Sequence, residues 1–308
     1  LEMNDIDKNK VLSDSESSRI YSLFYSFFLI PLMMVVFGVL FYLLFAVITE
    51  EPDDINQLLV KLETGSIRDK ANASYRMNKL FFNDPSIYDA SYRNRIIKIH
   101  NMSKSEFLSD NTLRLHTIMI MGNSADTTFG PVLIKELDAE NEEFRIKAIE
   151  ALGKLKYADA SNSIKQFLLP QNSFLEKLAA AGSLGNIGNQ NIISDLVSLI
   201  NKWPSQWIET DGPELRWEAA LALLKLGYTD VKTEKIINNL LKRSYYKSYE
   251  QLDENTVNFV ILKILNIVHS IDNYKLLSPF NNPIQMLASH DPNLEIRNFA
   301  KKIAKIIP

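Results

Sequence analysis

The sequence predicts an all-α protein: a single transmembrane helix followed by a stack of paired helices. Three observations carry that expectation. Residues 20–49 run for thirty positions without a charged side chain. From about Asp53 onward, apolar residues recur at i, i+3, i+4 and i+7, with no convincing period-two alternation. Within that second stretch one short pattern recurs: a basic or polar residue, a small residue three later, and an apolar residue four beyond that.

Residues 1–19 form a polar tail, in which Leu1 and Glu2 ahead of Met3 read as a cloning scar. The apolar run behind it is about twice the ~7–15 residues of a signal-peptide core. It ends on Phe45-Ala46-Val47-Ile48-Thr49, without an Ala-x-Ala cleavage pattern. A helix over residues 20–49 reaches roughly 45 Å at ~1.5 Å per residue, against ~30 Å for the apolar core of a bilayer. A retained span is therefore expected, with tilt absorbing the excess. Tyr21 and Tyr25 near one end and Tyr42 near the other suit the headgroup level, and Pro31 is placed to kink the first half. Lys8, Lys10 and Arg19 precede the span, while Glu50, Glu51, Asp53 and Asp54 follow it. The positive-inside rule then puts the tail in the cytoplasm and the large C-terminal part outside, against the weaker opposing pull of Arg68 and Lys70.

Composition excludes several classes. There is no cysteine, hence no disulfide framework and no thiol chemistry. With the three cations and five acids of residues 1–49 set aside, 31 Lys and Arg face 32 Asp and Glu. A domain so near neutrality lacks the basic footprint of a nucleic-acid binder.

The repeated pattern reads Lys70/Ala73/Met77, Arg114/Thr117/Met121, Arg145/Ala148/Leu152, Lys177/Ala180/Leu184 and Arg216/Ala219/Leu223. A degenerate Asn258/Ile261/Leu265 follows, then Arg297/Ala300/Ala304. The intervals of 44, 31, 32, 39, 42 and 39 residues suit two-helix solenoid repeats. Positions three and seven after the basic residue share a helix face, so a small residue there admits a neighbouring helix. The basic residue sits at a helix start, where the macrodipole prefers an acid. Arg114, Arg145, Lys177, Arg216 and Arg297 are therefore expected to pack the repeats, reaching sideways to a carbonyl or carboxylate of the adjoining one. Asn141, Asp211, Asp253 and Asp291 read as N-cap or first-turn residues, with Pro213 and Pro292 at early helical positions. Gly122, Gly153, Gly185 and Gly227 fall near the far ends, where a helix stops or packs tightly.

Two insertions interrupt the period. Residues 202–213 hold Trp203 and Trp207, and their Pro and Gly residues bar a continuous helix. Residues 242–249 read Lys242-Arg243-Ser244-Tyr245-Tyr246-Lys247-Ser248-Tyr249. Solenoid insertions often line the binding side, and Trp, Tyr and Arg dominate interface hot spots. Trp203, Trp207, Lys242, Arg243, Tyr245, Tyr246 and Tyr249 are thus candidate partner contacts. The competing reading packs the tryptophans over the solenoid edge and makes the tyrosine stretch a solvated helix end.

No catalytic constellation is present. His100, His116, His269 and His290 have neither a second His nor a carboxylate pair at helical metal-site spacing. Gly182-Ser183-Leu184-Gly185-Asn186-Ile187-Gly188 superficially suggests a phosphate loop, but it lacks a following Lys-Ser/Thr and a preceding strand, so helix packing is the better reading.

The segments Glu142-Glu143-Phe144-Arg145-Ile146-Lys147-Ala148-Ile149-Glu150-Ala151-Leu152-Gly153 and Asp291-Pro292-Asn293-Leu294-Glu295-Ile296-Arg297-Asn298-Phe299-Ala300 resemble the second helix of HEAT repeats. The likeness is to the short bacterial type also found in phycobilisome lyases. It covers roughly residues 54–308 and is firmest around Arg145, Lys177 and Arg216. It implies a right-handed α-solenoid of about seven HEAT-like helix pairs, with a concave face used mainly for binding. The expected organisation is a tail over 1–19, a transmembrane helix over 20–49 and a HEAT-repeat α-solenoid over 50–308. The repeated His-Glu pairs of HEAT-like di-iron enzymes are missing.

Such a motif is specific for fold and nearly silent on function. The expectation is a non-catalytic scaffold or accessory subunit, single-pass in a bacterial inner membrane. Its solenoid would bind protein partners, integral membrane subunits foremost, within a complex such as a transporter. No cofactor, metal or nucleic acid is expected. Two alternatives stay open: a lyase or chaperone-like factor for a pigment or cofactor, on the phycobilisome-lyase resemblance, and an envelope-polymer binder stacking sugars on Trp203, Trp207, Tyr245, Tyr246 and Tyr249.

Overall fold

A computed structural model describes residues 25–49, 54–104, 110–201, 212–247, 249 and 252–307. The chain divides into two compact units, Leu1–Asp54 and Ile55–Pro308. Sixteen α-helices and no strand occur among the described residues.

In the first unit a π-helical turn, Tyr25–Leu29, leads into α1 (Ile30–Thr49). Pro31 is the second residue of α1; it lacks the N–H that would bond back into the preceding turn, and the chain is π-helical just ahead of it. The 20 residues of α1 span about 30 Å, the thickness of a bilayer's apolar core. Phe27–Phe45 has a mean hydropathy of 2.7 and is long and apolar enough to cross a membrane, and none of it is buried. Phe27, Leu32, Met34, Phe37 and Phe41 all stand exposed. Residues 20–24 of the expected span lie outside the described residues.

Among the described residues, the second unit is a succession of seven helix pairs. They are α2 (Ile55–Thr64) with α3 (Ile67–Asn83), α4 (Arg93–Ser103) with α5 (Asn111–Asn123), and α6 (Gly130–Glu136) with α7 (Glu142–Lys154). Next come α8 (Ser161–Lys165) with α9 (Phe174–Ile187) and α10 (Ile193–Asn201) with α11 (Pro213–Lys225). In the sixth pair the short α13 (Arg243–Tyr246) is inserted between α12 (Val231–Leu240) and α14 (Glu254–His269), and α15 (Asn281–His290) with α16 (Leu294–Ala304) closes the series. The second helix of each pair packs on the second helix of the next.

Local chemistry sets the boundaries. Ser66 with Asp69 and Ser173 with Glu176 form reciprocal capping boxes, each satisfying two otherwise orphaned N–H groups. Asp110, Asn141, Asp230, Asp253 and Asn293 cap through their side chains. Asp291 is not a cap of α16, as the sequence suggested; Asn293 is, because the helix starts at Leu294 and leaves Pro292 outside it. At the other ends, Ala125, Lys156, Gly188 and Gly227 take left-handed φ values of 57°, 51°, 83° and 72°. They occupy one register, eleven residues after Arg114, Arg145, Lys177 and Arg216. The glycine-rich segment of residues 182–188 is the end of α9 with its left-handed cap.

The small residues of the repeated pattern all face the core: Ala73, Thr117, Ala148, Ala180, Ala219 and Ala300 are at most 1% exposed. The closest helix approach, however, runs through a different register. A Cβ on Gly122 would lie 2.6 Å from that of Ala151, one on Gly153 2.6 Å from that of Ser183, and one on Gly185 2.7 Å from Cα of Ala222. α5, α7 and α9 thus each offer a glycine to a small residue on the next second helix, so adjacent backbones nearly touch.

Two glycines of α9 separate packing from propensity. Alanine is about 1 kcal/mol better than glycine inside a helix. A Cβ at Gly182 meets only the carboxylate tip of Glu218, at 2.7 Å, whereas one at Gly185 meets the α11 backbone. Gly182→Ala should leave the thermal unfolding midpoint unchanged or raise it. Gly185→Ala should lower stability by about 1–3 kcal/mol, because overpacking outweighs propensity. Thermal melts of the detergent-solubilised chain measure both.

Candidate binding site

The basic residues of the repeat make three kinds of contact. Arg145 Nε donates to Glu176 Oε1 of the next repeat at 2.6 Å, while its Nη1 donates to the carbonyls of Ala139 and Glu140 at 2.7 and 2.8 Å. Glu176 also closes the capping box of α9, so one carboxylate joins two repeats. Arg297 repeats the second half of that geometry, donating to the carbonyls of Asp291 and Pro292 in its own repeat. Arg114 reaches Glu136, with Nη2 at 2.7 Å from Oε2, and stacks on the Phe144 ring at 4.3 Å. Lys177 is 2% exposed. Arg216 has a buried Nε without a hydrogen-bond partner.

Glu136 centres a buried charge cluster. Its side chain is fully inaccessible and accepts from Lys104 Nζ at 2.8 Å, from Arg114, and from His100 Nε2 at 3.1 Å. Burial opposes its charge, yet the hydrogen bonds from His100, Lys104 and Arg114 hold its pKa at about 2. Burial pushes the His100 imidazole below its ordinary value, against the pull of Glu136. Its Nε2 lies 3.1 Å from Glu136 Oε1 and its Nδ1 2.8 Å from the Thr117 hydroxyl, which itself donates to the Arg114 carbonyl at 2.8 Å. Nothing in the sequence spacing flagged this pair, because 36 residues separate its members.

The second insertion builds a cleft of about 690 Å³ between α12 and α15, lined in part by Asn238, Lys242, Arg243, Met286 and His290. Arg243 is fixed there: its Nε and Nη2 bond Asp291 at 2.6 and 2.8 Å, and Nη2 also bonds Asn258 Oδ1 at 2.5 Å. Asp291 is 3% exposed, so this bidentate pair ties the sixth repeat to the seventh. Lys242 stands exposed at the cleft mouth. The Oδ1 of Asn238 is buried without a partner.

The tyrosines form a cluster on Trp217, whose ring centroid lies 6.1, 6.1 and 5.4 Å from those of Tyr245, Tyr246 and Tyr249. Tyr246 is 4% exposed and donates its hydroxyl to the Leu240 carbonyl at 2.6 Å, which makes it core and not surface. Burial raises its pKa. Tyr245 and Tyr249 are partly buried, with hydroxyls 3.0 Å apart; burial and that bond push Tyr249 up to about 12. Trp203 and Trp207 lie outside the described residues. Trp217, the anchor of the cluster, carried no functional signal beyond standing directly after Arg216 where Ile146 and Leu178 follow Arg145 and Lys177. Among the described residues no group of three or more His, Asp or Glu side chains is arranged to hold a metal.

No protein-family model matches the chain, and no curated protein matches it either. Solved structures do. The complex of CpcE and CpcF of phycocyanin lyase from Nostoc sp. PCC7120 is similar at a TM-score of 0.53 and 14% identity, over 83% of this chain and 96% of that chain. The archaeal HEAT-like repeats protein from Thermococcus onnurineus NA1 is similar at a TM-score of 0.37 and 16% identity, over 84% of this chain and 98% of that one. The fold is a HEAT-like repeat α-solenoid, and one apolar N-terminal helix precedes it.

Glu136 binds its proton near 4.5 when unfolded and at about 2 when folded. Between those values the unfolded chain holds more protons, so stability falls as pH is lowered through that window. Glu136→Gln should flatten this acid limb. It should also cost about 3 kcal/mol at neutral pH, because Arg114 and Lys104 lose their buried carboxylate. Denaturation curves at a series of pH values test both effects.

Proposed function

We propose that this protein is a membrane-anchored, non-catalytic scaffold or accessory subunit whose solenoid binds a partner protein within an integral membrane complex such as a transporter. The observation that carries the reading is α1: a helix of bilayer length whose apolar surface has no burial within the chain. A soluble helix of that composition would bury a face; one bathed in lipid need not. Tethering confines the solenoid to a thin layer and raises its effective concentration for any partner there. The charge bias about residues 20–49 favours a cytoplasmic tail and a solenoid outside the inner membrane of a bacterium. The cleft with Lys242 at its mouth, and the segment of residues 202–213 with Trp203 and Trp207, are the contact regions of this reading.

A second reading has one observation in its favour, the likeness to the phycocyanin-lyase complex over most of both chains. It makes the protein a factor that handles a pigment. Incubation with a free bilin followed by an absorbance scan tests it, and an unshifted spectrum removes it.

The scaffold reading is tested by mild-detergent extraction from native membranes, affinity capture and mass spectrometry. Integral membrane proteins should co-purify in fixed stoichiometry. Deleting residues 1–49 should reduce their recovery far more than Lys242→Ala does. Equal recovery by the truncated and full-length chains would rule out the tether's role.

A further inference from the structure

The C-terminal ends of several second helices form a second groove, of about 660 Å³. Its walls are the C-terminal ends of α7, α9 and α11 and the turn after α14, and its charged lining is Lys154, Lys156, Lys225 and Asp272. Lys154 Nζ donates to Asn123 Oδ1 at 2.9 Å, and Lys225 Nζ to Asn186 Oδ1 at 2.7 Å. Each lysine therefore takes a neutral carboxamide from the preceding repeat. Neither is within ion-pair distance of a carboxylate among the described residues, since Glu150 pairs with Lys147 and Glu218 with Lys263. Desolvation in the groove lowers the pKa of both. A cation in a helix's last turn is favoured by the dipole, but these two turn their ammonium groups to asparagine side chains. Lys154 is exposed and Lys225 half-buried, so two ammonium groups of one groove are open to a counter-ion beside their amide partners.

Lys156 adds an independent sign. It adopts φ 51° in the register where Gly188 and Gly227 line the same groove. Ala125 holds that register in the second repeat, away from the groove. Glycine takes this conformation freely, whereas a lysine there is strained. What the lysine adds is a third ammonium on the rim.

We propose that this groove binds an acidic, extended peptide segment of the partner protein, an inference that rests on the scaffold reading above. The chemistry favours a peptide over a phosphate. Most of the last carbonyls of α7 and α11 accept one bond from the turn that follows, but each keeps a second lone pair, so the groove presents partial negative charge beside its ammonium groups. A peptide brings both N–H donors and carboxylates, while a phosphate brings acceptors alone and meets the negative ends of three helix dipoles.

The test uses the full-length chain in detergent and a fluorescein-labelled Glu-Gly repeat peptide, with a Lys-Gly repeat as control. Anisotropy should rise with the acidic peptide alone, and the affinity should fall with salt. Lys154→Met with Lys225→Met should weaken it at least about tenfold, the methionines keeping most of the apolar stem. Lys156→Gly should weaken binding while raising the melting temperature by roughly 2 °C, a combination that misfolding does not produce. The proposal is overturned by no anisotropy change, by equal affinity in the lysine variants, or by pyrophosphate displacing the peptide. Capture from native membranes separates the two readings: a partner held equally by the lysine variants sinks this inference alone, and no partner for the unaltered chain sinks the scaffold reading.

Discussion

The solenoid depends on one steric constraint, the near-contact of successive second helices. Gly122 against Ala151, Gly153 against Ser183 and Gly185 against Ala222 bring four helices together with no side chain between the backbones. At such separations dispersion between main-chain atoms replaces side-chain interdigitation, and the geometry tolerates almost no variation. Each repeat can bury its apolar face only against a neighbour. The three glycine contacts therefore fix the pitch of the central repeats, and the charge clusters and grooves inherit their spacing from it.

The ladder does not continue. The places that would follow Gly185 and Ala222 are held by Leu224 and Ile264, both fully buried. Bulk replaces close approach here, and here the sequence inserts α13. Trp217 and the three tyrosines fill the space, and the Arg243–Asp291 pair carries the connection on to the last repeat. Residues that look like a recognition patch when read in order thus fill the junction where the tight packing ends. Lys242 stays exposed beside them, at the cleft.

Polar interactions inside the stack couple repeats instead of stabilising single helices. Glu136 joins α6 to α4 and α5, Glu176 joins α9 to Arg145, and Asp126 holds Arg93 and Tyr88 of the preceding repeat at 2.8 Å each. Buried charges are costly unless fully paired. Here each carboxylate gathers several donors, which fixes the register between repeats as well as offsetting its own desolvation. Lys154 and Lys225 are exceptions, each donating to an asparagine side chain, and Lys154 also lies 5.4 Å from the Phe82 ring centroid.

The sequence by itself determined the elements and their order. An uncharged run of bilayer length, a 3.6-residue apolar period and a repeat of about forty residues are local or periodic signals, and the apolar helix and seven helix pairs follow from them. It also marked the glycines near the helix ends, without separating those that cap from those that pack. Only the tertiary structure made that separation: Gly188 and Gly227 hold left-handed caps, while Gly122, Gly153 and Gly185 face the next helix. It likewise moved Asp291 from an expected cap to a buried partner of Arg243, 48 residues away, and sent Tyr246 into the core. The physical reason is common to all three. Capping, apolar period and span length are decided within a few residues of chain, whereas a side chain's partner across repeats depends on how far and at what angle the helices stack.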